Sequence, residues 1–443
     1  MNAVFLTTLG CPKNMVDSRH LIESLESEGF ISVDDPKYAD IILVNTCGFI
    51  KDAKQESINE ILKLLQYKID GNKSRKLLVF GCLAQRYRKE LMKEIPEIDG
   101  IWGVGQEEEI LAHCRDASNV QELRQAASMK LLEIKKIRQK APRQSFAYLK
   151  IADGCDRKCT FCVIPSIRGK FKSIAYETIL NEAQAHVQSG VKELILVAQD
   201  ILNYGREWKG YGLAELLKDL VAIKGDFRIR LLYLYPTEVT DSLLDVIARE
   251  SKICKYLDIP LQHSEDRLLR LMGRRGTRKE YTKLIRTIRR VIPGVTLRTT
   301  FIVGFPSETE EDFRELVDFI EEMRFERLGA FMFSKEEGTP SARLKGQLPE
   351  RIKRHRFDEI MRRQSSISLE ANRELVSKRF TVLIDEMDDR VAIARMCSQS
   401  PEIDGVTIIE NAIEQNKRSL KIGEFVNVEI VEAYDYDVKG RLM

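Results

Sequence analysis

The sequence has no apolar run long enough to cross a bilayer, and Met1 to Gly10 holds neither a basic stretch nor a cleavage site. Neither a membrane protein nor an exported one is expected, and the expected compartment is the cytoplasm. An excess of either charge is also missing: Lys+Arg 71 against Asp+Glu 68 leaves +3. That balance hides an unevenness. Phe380 to Met443 carries seven basic and thirteen acidic side chains, a net of −6, which leaves +9 on the rest. An acidic tail suits a basic protein better than a phosphate backbone. With 43% hydrophobic and 31% charged residues, the 443-residue chain has the make-up of a soluble globular protein, too long for one core. Two or three domains are expected.

Nine cysteines without an export signal point to metal or catalysis in a reducing compartment, not to disulfides. Three of them, Cys155, Cys159 and Cys162, stand at C-x3-C-x2-C spacing after the strand-like run Phe146 to Ala152. Thiolates this close repel unless a cationic metal centre neutralises them, and thiolate sulfur suits iron–sulfur clusters. An ordinary zinc motif has a second C-x2-C pair downstream, and none follows. A structural zinc site and three unpaired thiols are the plainer alternatives. Three ligands on a four-iron cube leave one iron open for chemistry, by the logic that separates catalytic from structural zinc.

Earlier in the chain, Ala3–Leu9, Asp40–Thr46 and Lys76–Gly81 read as strands, with helices over Asp17–Gly29 and Ala53–Tyr67. Such alternation predicts a parallel, doubly wound sheet, whose ligands bind beyond the carboxyl ends of the strands. Cys11, Cys47 and Cys82 each follow one of these strands, so a second cluster is expected on them. Cys114, Cys254 and Cys397 lack such company and read as buried or incidental thiols. Gln106 to Lys140 reads as a charged, helical linker.

From Ser145 the alternation resumes, with strands at Phe146–Ala152, Glu193–Gln199, Arg228–Tyr233, Lys255–Leu261, Thr296–Val303 and Arg327–Phe333. Six units imply an open barrel with its chemistry at the C-terminal strand ends. Gln199, Asp200, Gly304 and Glu308 reach that edge and are the candidate cofactor contacts. His263 sits there too, as a structural residue or a contact. Arg267 to Arg290 is a basic stretch, either a solvated helix face or a docking site. A long helix over Leu348–Lys378 leads to short strands with glycine turns, a small β-barrel pattern.

These features resemble the radical S-adenosylmethionine methylthiotransferases over essentially the whole chain. The C-x3-C-x2-C loop matches the family's radical cluster ligands, and Cys11, Cys47 and Cys82 its auxiliary cluster ligands. Ile164–Gly169 and Ser334–Thr339 match further blocks. Gly10-Cys11-Pro12-Lys13-Asn14-Met15-Val16-Asp17-Ser18, Leu261-Gln262-His263 and Pro401–Gly405 resemble the RimO type. Arg19, where Glu is usual, and Lys172-Ser173-Ile174, where Arg-Ser-Arg is usual, depart from the pattern.

The resemblance implies a methylthiotransferase domain over 1–125, a linker over 126–144, a radical domain over 145–375 and an antiparallel β-barrel of the TRAM type over 376–443. It implies two [4Fe-4S] clusters and S-adenosylmethionine, and a methylthio group inserted at the β-carbon of an aspartate in small-subunit ribosomal protein twelve. Methylthiolation of adenosine in tRNA is the alternative within the family. A non-catalytic iron–sulfur or zinc ribosome-binding factor is the alternative from another class.

Overall fold

The computed structural model describes residues 3–71, 75–117, 144–388, 390–410 and 420–443. The chain folds as two compact units. One holds the N-terminal sheet and, returning from later in the chain, Val163–Lys170; the other holds the remainder.

In the first unit, strands β1 (Ala3–Thr8), β2 (Ile31–Ser32), β3 (Ile41–Thr46), β4 (Lys76–Gly81) and β5 (Gly100–Ile101) form one sheet in the order β2-β1-β3-β4-β5. Every pairing is parallel. β3 is apolar on alternate residues of both faces. Ile42 and Val44 pack toward Ile61 and Leu64 of helix α2 (Lys51–Gly71), whereas Leu43 packs toward Leu21 and Leu25 of helix α1 (Pro12–Ser27). A strand buried on both sides reads as a continuous apolar run, which is the doubly wound pattern. The stretch read as a linker begins as helix Glu107–Ala117, and its remainder lies outside the described residues.

In the second unit, β6 (Phe146–Lys150) leads to a small hairpin of β7 (Ala152–Asp153) and β8 (Lys172–Ser173). β9 (Glu193–Val197), β10 (Arg228–Leu231), β11 (Ile253–Asp258), β12 (Thr296–Val303) and β13 (Arg327–Met332) join β6 in a six-stranded sheet. All five pairings are parallel and follow chain order, with β6 and β13 as free edges, so this is an open (βα)6 barrel. Helix Arg278–Val291 shows why the helices pack as they do. Tyr281, Ile285 and Ile288 fall on one face and are buried. Three of its basic side chains are paired: Arg278 with Glu315 and Glu322, Arg286 with Glu322, and Arg289 with Glu326. Within the basic stretch, the acidic helix Glu310–Met323 and Glu326 after it thus take up Arg278, Arg286 and Arg289.

Helix Glu350–Arg373 leads to a closed barrel of β14 (Arg379–Met387), β15 (Val391–Arg395), β16 (Thr407–Glu410), β17 (Phe425–Ala433) and β18 (Val438–Leu442). Four pairings are antiparallel, and β16–β18 is parallel.

This small barrel plugs the N-terminal mouth of the open one. Along β9, β10 and β11, core residues Leu194, Ile229, Leu231, Ile253 and Leu257 alternate with Glu193, Arg228, Arg230, Cys254 and Tyr256, which therefore face the other side. Glu193 is fully buried there and pairs with Arg228 at 2.7 Å, Arg230 at 2.6 Å and Arg395 of β15 at 2.9 Å. The loop after β15 completes the plug: Arg230 donates to the carbonyls of Cys397 and Gln399, Tyr148 to Glu402, and Tyr256 to Asp404.

Candidate metal centres and cofactor site

Because β1, β3 and β4 are neighbours, the residues that follow them gather at one edge of the sheet. Cys11 is the N-cap of α1, with Pro12 opening the helix, Cys47 directly follows β3, and Cys82 opens helix α3 (Cys82–Glu94). The three converge. Asn14 Oδ1 lies 3.9 Å from Cys11 Sγ and 3.8 Å from Cys82 Sγ. A Cβ on Gly10 would come within 2.8 Å of Cys47 Sγ, so only glycine leaves room, and its φ of +93° suits that residue as well. Ser57 fixes Cys47 by accepting from its N–H and donating to its carbonyl, both at 2.9 Å.

Arg168 returns to this site from the segment Val163–Lys170. Its Nη2 donates to Asn14 Oδ1 at 2.7 Å and Asp17 Oδ2 at 2.9 Å, with 1% of its side chain exposed. Val163 and Ile167 pack on Cys82. Burial pushes the Cys47 thiol up and the Cys82 thiol up to about 12, with Arg168 opposing the shift at both. Desolvated thiols become good ligands once a cationic centre displaces their protons.

The second set occupies the loop after β7. Cys155 is buried, while Cys159 and Cys162 are half-buried. The Arg157 N–H points to Cys155 Sγ at 3.4 Å, the Thr160 N–H donates to Met272 O at 2.9 Å, and Cys162 N–H donates to Cys159 O at 3.1 Å. A Cβ on Gly273 would meet Lys158 O at 2.4 Å, so the loop lies directly on that turn. Arg157 and Arg274 both stack on the Tyr235 ring, 4.0 and 4.1 Å from its centroid, and Arg274 Nη1 lies 3.9 Å from Cys159 Sγ. Burial raises the Cys155 thiol, and the Arg157 N–H opposes it.

Both sets therefore fit a cube gripped at three corners: thiols only, caged, with cationic or N–H groups beside them. Among the described residues no three His, Cys, Asp or Glu side chains close around a single metal ion. A cube needs its sulfurs wider apart than one ion does.

At the strand ends, Gln199 Nε2 donates to Asp153 Oδ1 at 3.2 Å, while its Oε1 is buried without a donor. Asp200 is buried and paired with Arg157 at 2.7 Å; burial raises its carboxyl and Arg157 opposes the shift. Gly304, at φ +72°, faces Lys353, whose Cγ a Cβ would meet at 2.4 Å. Glu308 is buried, pairs with Arg356 at 2.6 Å and accepts from the Phe305 N–H; burial lifts its carboxyl to about 7. His263 is fully buried and held neutral, pushed down to about 3 by burial, with Nδ1 accepting from the Glu265 N–H.

Sequence reasoning assigned no individual role to Asn14, Asp17, Ser57, Arg157 or Tyr235, and took Arg274 only as part of a basic stretch. Asn14 and Asp17 had a signal: polar residues three and six positions after Cys11 lie on the helix flank beneath it. Arg157, inside the cysteine loop, had one too.

Three profiles match the chain: the uncharacterized protein family UPF0004 over residues 3–103, the Radical SAM superfamily over 149–320 and the TRAM domain over 376–443. The ribosomal protein uS12 methylthiotransferase RimO of Thermodesulfovibrio yellowstonii is 56% identical, covering 98% of each chain. The RimO of Desulfitobacterium hafniense is 44% identical over 99% of this chain and 98% of its own. Among solved structures, the radical S-adenosylmethionine methyltransferase TsrM from Kitasatospora setae, with cobalamin and [4Fe-4S] cluster bound, aligns at a TM-score of 0.54 and 16% identity over 77% of each chain, a likeness of fold. Full-length identity at this level, with all three domain profiles in order, places the chain in the RimO family of radical S-adenosylmethionine methylthiotransferases.

Proposed function

We propose that this chain transfers a methylthio group to the β-carbon of an aspartate in ribosomal protein uS12, in the cytoplasm. One observation carries the reading: the fold builds two separate three-thiol sites, one at the edge of each parallel sheet, each a ligand short of closing a four-iron cube.

A hydrogen on an unactivated carbon has no pKa that a side chain can match, so acid–base chemistry cannot replace it. When bound, the two clusters and S-adenosylmethionine supply the radical, the sulfur and the methyl group. The residues of the chain hold and position. Cys155, Cys159 and Cys162 hold one cluster and Cys11, Cys47 and Cys82 the other. Arg168 sets positive charge beside Cys82 and favours its thiolate, and Arg274 sets positive charge beside Cys159. Arg157 ties the cysteine loop to Asp200 and Glu238, fixing it to two strand ends. Gln199 presents Oε1 as an acceptor for the cofactor's ammonium, and Asp200 steadies that strand end. Gly304 and Glu308 complete the pocket by seating Lys353 and Arg356 of the long helix. The acidic C-terminal barrel favours a basic protein substrate over tRNA.

Cys47→Ala tests the division of labour. It should leave reductive cleavage of S-adenosylmethionine intact and abolish methylthio transfer. Loss of both in a folded protein would contradict separate roles.

A further inference from the structure

Along β6, core residues Ala147 and Leu149 alternate with Phe146, Tyr148 and Lys150, which therefore face the lumen of the open barrel. Tyr148 serves the plugged end, donating to Glu402. Lys150 is the last residue of the strand and serves the other end. Its Nζ lies 3.1 Å from Asp153 Oδ2, two residues before Cys155, and 13% of its side chain is exposed. Asp153 Oδ1 accepts in turn from the Gly154 N–H at 2.8 Å and from Gln199 Nε2 at 3.2 Å. One carboxylate thus holds the ammonium beside both the radical cysteine loop and a candidate cofactor contact. Arginines deeper in the lumen are committed elsewhere: Arg228 and Arg230 to Glu193, and Arg298 to Asp258 at 2.9 Å. On β13, at the far end of the sheet, Phe331 alternates with core residues Leu328 and Ala330, so it too faces the lumen, 52% exposed.

We propose that Lys150 receives the carboxylate of the target aspartate and selects aspartate over uncharged side chains. The inference rests on the methylthiotransferase reading and names the residue that recognises its substrate. The β-carbon to be modified is bonded directly to that carboxylate, so a grip on the carboxylate brings the β-hydrogen to the cofactor end of the barrel. An ammonium donates up to three hydrogen bonds, so Lys150 keeps Asp153 and takes a second carboxylate as well. Asp153 stays in place because Gly154 and Gln199 hold its other oxygen. Burial of the lysine stem raises the worth of the contact, since water competes poorly for a charge in a low-dielectric wall. An asparagine of the same shape brings no charge to meet the ammonium, and that difference is the selection. Phe331 offers apolar surface to the rest of the substrate segment.

The test measures binding of uS12, and of uS12 with its target aspartate changed to asparagine, to cluster-loaded protein with S-adenosylmethionine. Wild type should prefer the aspartate form. Lys150→Met should weaken that form at least about 30-fold and the asparagine form far less, with iron per chain unchanged. Lys150→Arg should keep the preference, because it keeps the charge. A wild type indifferent to the change, equal weakening of both forms by Lys150→Met, or loss of iron in that variant would overturn the proposal. Methylthio transfer by the wild type is read separately: the binding preference without transfer would contradict the reaction while upholding the contact.

Discussion

Arg168 and Asp17 form an ion pair of 2.9 Å with side chains only 1% and 6% exposed, joining a segment after the radical cysteine loop to the helix after Cys11. A buried pair broken on one side leaves a charge with neither water nor partner. Arg168→Met should therefore cost the N-terminal unit about 3–5 kcal/mol. Iron per chain should fall from two clusters toward one. Unfolding followed by a probe in that unit checks this, and an unchanged midpoint would refute it. Lysine restores the charge but not a planar group donating to Asn14 and Asp17 together, so Arg168→Lys should recover only part.

Glu193 anchors three arginines from two barrels, and Glu193→Gln should cost about 3–5 kcal/mol by leaving them unbalanced. Burial alone would raise this carboxyl; Arg228, Arg230 and Arg395 together hold it well below the usual carboxylate range. A depressed pKa gives stability that is present above the unfolded value of about 4.3 and lost as pH falls below it. Thermal unfolding from pH 6 down to 3 should show a steeper loss for the wild type than for the glutamine variant.

In iron-free protein, Cys82 should be alkylated by iodoacetamide at pH 8 at least about 100-fold more slowly than a free thiol of ordinary pKa. Burial raises it to about 12, so little thiolate is present. Competitive labelling with mass spectrometry gives the ratio, and near-equal rates would mean the thiol is not desolvated.

Gln199→Leu removes the one buried acceptor at the second strand end that lacks a donor. A lost hydrogen bond of about 1–3 kcal/mol weakens S-adenosylmethionine binding by roughly tenfold to a hundredfold. Iron content should not change. Binding to the reconstituted variant measures it, and unaltered affinity would place the cofactor elsewhere.

Much of this architecture was legible because it is periodic. Strands such as Ile41–Thr46 announce themselves as unbroken apolar runs and helices such as Arg278–Val291 through spacing, and parallel strands then dictate the edge where Cys11, Cys47 and Cys82 gather. The tail was read less completely. Val391–Arg395 and Val438–Leu442 are short, and the parallel β16–β18 pairing leaves no local mark. Arg168 beside Asn14, and Glu193 among its arginines, are side-chain meetings between distant segments that no spacing encodes. Gly304 read as a candidate cofactor contact, but the Lys353 side chain that lies against it comes from a distant helix that no spacing encodes.

The most direct test incubates the reconstituted, reduced protein with S-adenosylmethionine and unmodified uS12, with unmodified tRNA in parallel. Mass spectrometry should find one methylthio group in place of one hydrogen on an aspartate of uS12 and none on tRNA. A methylthio group on tRNA alone, or deoxyadenosine release with neither substrate modified, would contradict the account.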